Sequence, residues 1–155
     1  MRSPDHKAHY GNAVVFEKNK VGSENFYRRK AEIDPLVVRS VQFSQNDISK
    51  DSGLVNKIAD SVAPRIKEIA NVYSEYEVWV KDVALRHLRK GELQAAINIS
   101  RANVKFFPGS YQAWYWLGIA YLENKQKELA AESFRMSLKL NFNNTLAKER
   151  IKKLH

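Results

Sequence analysis

Apolar residues crowd the stretch from Ala113 to Leu122, stop at the polar break ENKQKE, and return at Ala130, Phe134 and Leu138. Trp114, Leu117, Gly118 and Tyr121 fall at i, i+3, i+4 and i+7, which is one stripe of a helix. The apolar run is about half of the roughly 20 residues that a membrane-spanning helix requires, so another protein element must cover it. Gly118 costs roughly 1 kcal/mol in helix propensity, and close approach of a partner helix is the compensation it predicts. The second stripe predicts that partner, antiparallel to the first. Ser110 is placed to cap the first helix, and Gly91 and Gly109 mark turns. Asn144 is placed to cap a last helix whose inner stripe is Ala147, Ile151 and Leu154.

The hairpin has a weaker copy upstream. Setting residues 77–110 beside 111–144, an offset of 34, pairs Val80 with Trp114, Val83 with Leu117, Ala84 with Gly118 and His87 with Tyr121. It also pairs Ala96 with Ala130, Ser100 with Phe134, Asn103 with Ser137 and Pro108 with Phe142. Trp114, Leu117, Gly118, Tyr121, Ala130, Phe134 and Ser137 resemble the signature of a tetratricopeptide repeat, matched at its period. The first copy departs at the large aromatic positions, where His87 and Ser100 stand. Residues 145–155 resemble the solvating helix that closes such arrays. Together these cover about half the chain. The resemblance implies a mainly α fold of two helical hairpins plus a capping helix. Its core would hold Val83, Ala84, His87, Ala96, Trp114, Leu117, Gly118, Tyr121, Ala130 and Phe134.

The first half reads differently. NAVVFEKN and PLVVRSVQFS are rich in β-branched and aromatic residues with partial alternation, and predict short strands in an N-terminal region over 1–50. A loop, QNDISKDSG, follows. Leu54, Ile58 and Val62 are spaced by four, predicting helix over 53–73 with a break at Pro64, within a linking segment that spans 51–76. SEYE at 74–77 has capping-box spacing and would start the repeat domain, 77–155; a continuous helix is the alternative.

Composition narrows the function classes. A chain of 155 residues with 44% apolar positions suits one soluble domain, or one domain plus an appendage. It has no cysteine, which removes disulfides, thiolate nucleophiles and cysteine-ligated metal. The start, MRSPDHKAHYGN, lacks a signal-peptide core, so a cytoplasmic, non-membrane protein is expected. Of the net charge of +9, +7 lies after residue 60, a balance that solubilises a helical surface and can also draw acidic partners. The four histidines, His6, His9, His87 and His155, have no partner spacing that specifies a metal or an acid–base site. GxSxG, P-loop, GxGxxG and HExxH motifs do not occur, so no catalytic residue, metal or cofactor is expected.

A binding role uses what is present. In the repeat family the inner helices line a concave groove, and the resemblance places Val78, Lys81, Leu85, Leu88 and Arg89, then Gln112, Tyr115, Ile119, Leu122 and Glu123, along it. Leu85 and Ile119 stand where carboxylate-clamping relatives carry amides, so an apolar groove is implied. Its occupant would be a partner's helix or peptide, a second copy of the chain, or residues 54–73 of this one. The expectation is a non-catalytic protein-interaction module. One alternative follows from another likeness: residues 66 to 154 are similar to the repeat tail of some bacterial serine hydrolases and esterases. His6 or His9 would then be a remnant near a lost triad, inactive without a nucleophile. A second alternative is a nucleic-acid binder using Arg86, Arg89, Lys90, Lys148, Arg150, Lys152 and Lys153, but aromatic residues interleaved with these charges are lacking.

Overall fold

The computed structural model describes residues 46–72 and 75–154. The two expected strand segments, His6, His9 and His155 lie outside them. The described chain is helical, with no strand among the described residues: α1 (Asn46–Lys50), α2 (Ser52–Val62), a 3-10 turn (Ala63–Arg65), α3 (Ile66–Val72), α4 (Tyr76–Arg89), α5 (Leu93–Phe106), α6 (Tyr111–Glu123), α7 (Lys127–Leu140) and α8 (Thr145–Lys152). No helix among the described residues is long and apolar enough to cross a membrane.

The 34-residue offset reappears in the hydrogen bonds. After α4, Gly91 N–H donates to Leu88 O and Glu92 N–H to His87 O; after α6, Lys125 N–H donates to Leu122 O and Gln126 N–H to Tyr121 O, all at 2.9 Å. This bond pair is the Schellman ending, which needs a left-handed residue just past the helix. Gly91 supplies it at φ 74° and Lys125 at φ 61°. The caps repeat too. Ser110 Oγ accepts from Ala113 N–H at 3.2 Å, and Asn144 Oδ1 from Ala147 N–H at 3.3 Å. Each hairpin is also tied across its helices: Ser137 Oγ donates to Tyr111 O at 2.8 Å, and Asn103 Nδ2 to Glu77 O at 3.4 Å.

α4 pairs with α5 and α6 with α7, and α6 also packs on α5 and α4. One apolar cluster joins α2, α3, α4 and α5 through Val55, Ile58, Val62, Ile69, Tyr76, Trp79, Val80, Val83, Ile99 and Phe106. The other joins α6, α7 and α8 through Tyr115, Ile119, Ala130, Phe134 and Ala147, with Leu88 of α4, Ile151 and Leu154 at its edge. Gly118 is where the second hairpin closes most tightly: a Cβ there would stand 2.6 Å from Phe134 Cε1.

Three local expectations are revised. The segment read as a loop at 45–53 contains α1, because Ile48 packs on the first cluster and Asn98 Nδ2 donates to Ser49 O at 2.8 Å. The expected capping box is not how α4 begins: Glu75 is its N-cap without a side-chain bond, Ser74 lies outside the described residues, and the Glu77 carboxylate accepts instead from the Ser110 hydroxyl. The break at Pro64 is found as the 3-10 turn, but the helices it separates do not fill the inner groove. α1 and α2 pack on α5, with Asp60 and Lys105 paired at the surface.

Candidate functional site

Helical spacing builds the inner face. Val78 and Lys81 are one turn apart on α4, and Gln112, Tyr115 and Trp116 share one stripe of α6. The turn between α7 and α8 brings Asn141, Asn143 and Asn144 opposite them, together with Thr145 and Leu146 at the start of α8. Between these elements runs an open groove of about 440 Å³, lined by Lys81, Tyr111, Gln112, Tyr115, Trp116, Asn141 and residues 143–146. Beside it, sharing Lys81, Gln112 and Trp116, is a smaller recess of about 80 Å³ that adds Glu77, Val78, Asn103 and Ala113. Trp116 stands edge-on to Tyr115 with ring centroids 5.3 Å apart, and Tyr115 leans on Phe134 at 5.7 Å. The Lys81 ammonium lies 3.2 Å from the Asp82 carboxylate. None of the lining residues of either hollow belongs to α1, α2 or α3.

The ten residues expected along the groove divide. Val78 is 45% exposed, and Arg89, Gln112 and Glu123 are exposed. Lys81, Leu85, Leu88 and Leu122 are half-buried. Tyr115 and Ile119 keep only 7% and 9% of their surface and belong to the cluster of α6, α7 and α8, with Leu88 and Leu122 packed against it. The structure brings Lys81, Gln112 and Tyr115 together in the open groove; it does not bring Leu85, Ile119 or Arg89 there.

Of the residues expected in the repeat core, Val83, Ala84, His87, Ala96, Leu117, Gly118, Ala130 and Phe134 are buried, whereas Trp114 and Tyr121 are half-buried. With Arg101, Val104, Lys105, Pro108 and Leu117 they line an outer cavity of about 610 Å³ that α2 borders through Asn56 and Asp60. The Trp114 indole N–H donates to Pro108 O at 3.0 Å. His87 Nδ1 meets the Glu92 carboxylate at 2.5 Å across the α4–α5 turn. That hydrogen bond, with the nearby positive charges, holds the Glu92 carboxyl below its ordinary range.

Sequence reasoning passed over Trp116, Asn103 and the asparagines of the α7–α8 turn. Trp116 was within reach, since it lies four residues beyond Gln112 on the stripe already chosen. Asn103 carried a weaker signal, as the partner of Ser137 in the repeat. The turn asparagines carried no sign of a groove position, Asn144 being marked only as a cap, because their place depends on how α8 folds back.

No family model matches the chain. A PEX5-related protein of Rattus norvegicus is 24% identical to it over 151 residues, a stretch that takes in 91% of this chain and 25% of that protein. The chain therefore spans about a quarter of that relative's length. With 91% of the chain matched, the likeness extends upstream of the two hairpins.

Proposed function

We propose that residues 77–155 are a tetratricopeptide-like module that docks a peptide or short helix of a protein partner in the groove between α4, α6 and the α7–α8 turn. The observation that carries this reading is the open groove itself. A hollow of about 440 Å³ with an aromatic floor and amide rims is a form that accepts an extended or helical segment, and α1–α3 pack elsewhere. The shared 34-residue bonding pattern and the likeness to the PEX5-related protein support the repeat assignment. Because Tyr115 and Ile119 are committed to packing, the contact residues are Val78, Lys81, Gln112 and Trp116, together with Asn143 and Thr145.

Val78 and Gln112 are exposed, so charge can be placed there without unfolding the hairpins. Peptides selected from a random library against the whole chain are expected to lose affinity by at least about tenfold for Val78→Asp and Gln112→Asp, a loss of about 1.4 kcal/mol or more, with helicity and melting unchanged. Peptides that bind both variants as tightly as the parent would place docking elsewhere. Sedimentation of the free chain separates a foreign partner from a second copy.

A further inference from the structure

One residue lining the small recess beside the groove carries an unanswered acceptor. Asn103 keeps only 3% of its surface, and its Oδ1 is buried with no hydrogen-bond partner among the described residues. The amide cannot simply be turned over. Its Nδ2 donates to the Glu77 carbonyl, and exchanging the two atoms would set two acceptors against each other. Asn103 lines the recess together with Glu77, Lys81 and Gln112, while Val78, Ala113 and Trp116 supply apolar surface. A buried acceptor left unanswered is costly, which makes this a place where a ligand's donor gains more than it would at the surface.

We propose that this recess is a specificity pocket for a primary carboxamide, the side chain of a glutamine or asparagine on the segment that docks in the adjoining groove. The inference rests on the docking reading and names what the site selects. The chemistry is one of matching. A carboxamide offers two N–H donors, which Asn103 Oδ1 and the Glu77 carboxylate accept, and one carbonyl oxygen, which the Lys81 ammonium or the Gln112 amide can serve. A carboxylate would bring charge against Glu77 and has no donor for Asn103. An ammonium would meet Lys81. An aliphatic group would leave Oδ1 unanswered. The size agrees, since about 80 Å³ is room for two or three water-sized groups. The recess shares Lys81, Gln112 and Trp116 with the groove, so a side chain can enter from a backbone lying there.

The second hairpin supplies the variant that tests this. Ser137 makes the same tie to Tyr111 O with a hydroxyl that Asn103 makes to Glu77 O with its amide, so Asn103→Ser keeps a donor for the tie and removes Oδ1. Acetamide, titrated into the isotope-labelled whole chain, is expected to shift the Asn103 side-chain amide and the Trp116 indole signals saturably in the millimolar range. Acetone and methyl acetate, similar in shape but without donors, should not. Asn103→Ser should weaken the acetamide response by about tenfold or more, and should Asn103→Ser fail to fold, Gln112→Leu, an exposed change, should weaken it as well. No acetamide response, or an equal response to acetone, overturns the assignment, as does a response unchanged in the variant that folds.

The same distinction is made in the groove. A docking peptide whose glutamine or asparagine is replaced by leucine should bind the parent chain at least about tenfold more weakly and lose little against Asn103→Ser. If peptides dock but that replacement is neutral, the pocket fails and the docking reading stands. If acetamide binds and no peptide does, the docking reading fails and the carboxamide site remains.

Discussion

A glycine and a phenylalanine set how closely α6 and α7 approach. Phe134 is fully buried and its ring is held by Tyr115, so it has little freedom to retreat from a methyl group placed 2.6 Å away. We expect Gly118→Ala to destabilise the chain by about 1 to 2 kcal/mol, overpacking outweighing the helix propensity gained. Phe134→Leu should cost less in the Gly118→Ala background than in the parent, and urea unfolding of the four chains measures that coupling. In the first hairpin the equivalent positions are Ala84 and Ser100, both buried: a larger residue on one helix stands opposite a smaller one on the other. This exchange of size is why the first copy of the repeat is hard to see residue by residue while the two hairpins share their ties and turns.

At the scale of the element, the helix ends decide the hairpins. Gly91 has nothing within 4 Å of where a Cβ would stand, so the effect of a side chain there is conformational alone. Gly91→Ala should cost about 1 kcal/mol, and Lys125→Gly should stabilise by about the same amount, because a left-handed backbone strains any residue with a Cβ. Thermal melts of the two variants, moving in opposite directions, check the shared ending. Much at this scale was legible beforehand. Ser110 and Asn144 announced their caps by residue type and position, and Pro64 announced its break, since these are local effects of one side chain on its own backbone. What failed to show depended on distant partners. The short helix at Asn46–Lys50 is fixed by Asn98, and the Glu77 carboxylate serves Ser110 instead of closing its own helix. Of the groove, Lys81 on α4 and Gln112 and Tyr115 on α6 followed from the resemblance to the repeat family. The burial of Ile119 in the cluster of α6, α7 and α8, and the meeting of Asn103 with Glu77, required the third dimension.

Across the whole described chain, the two apolar clusters divide the helices unequally. Val55 of α2 is fully buried in the cluster of α2–α5, and α6–α8 share a separate one. In stacked repeats each unit leans mainly on its neighbours, so damage is local before it is global. Val55→Asp, which buries an unpaired carboxylate, should cost about 3 kcal/mol or more. Hydrogen exchange should then rise across α1–α5 more than across α6–α8; equal acceleration everywhere would mean that the clusters melt as one. Position also separates tasks. α1 and α2 lie against α5, and α2 borders the outer cavity with Trp114 and Tyr121, so their support does not obstruct the inner face.

The tie from Asn103 to Glu77, and from Ser137 to Tyr111, ends each time on a main-chain oxygen. A glutamate occupies one of these anchor points and a tyrosine the other, and the latch closes on both. As far as the latch is concerned the anchoring residue is at liberty to change identity, although Glu77 also accepts from the Ser110 hydroxyl, and it lines a hollow. A library randomised at 77 and 111 would redraw the lining of the two hollows while leaving the latch in place, which makes this scaffold a starting point for engineering binders.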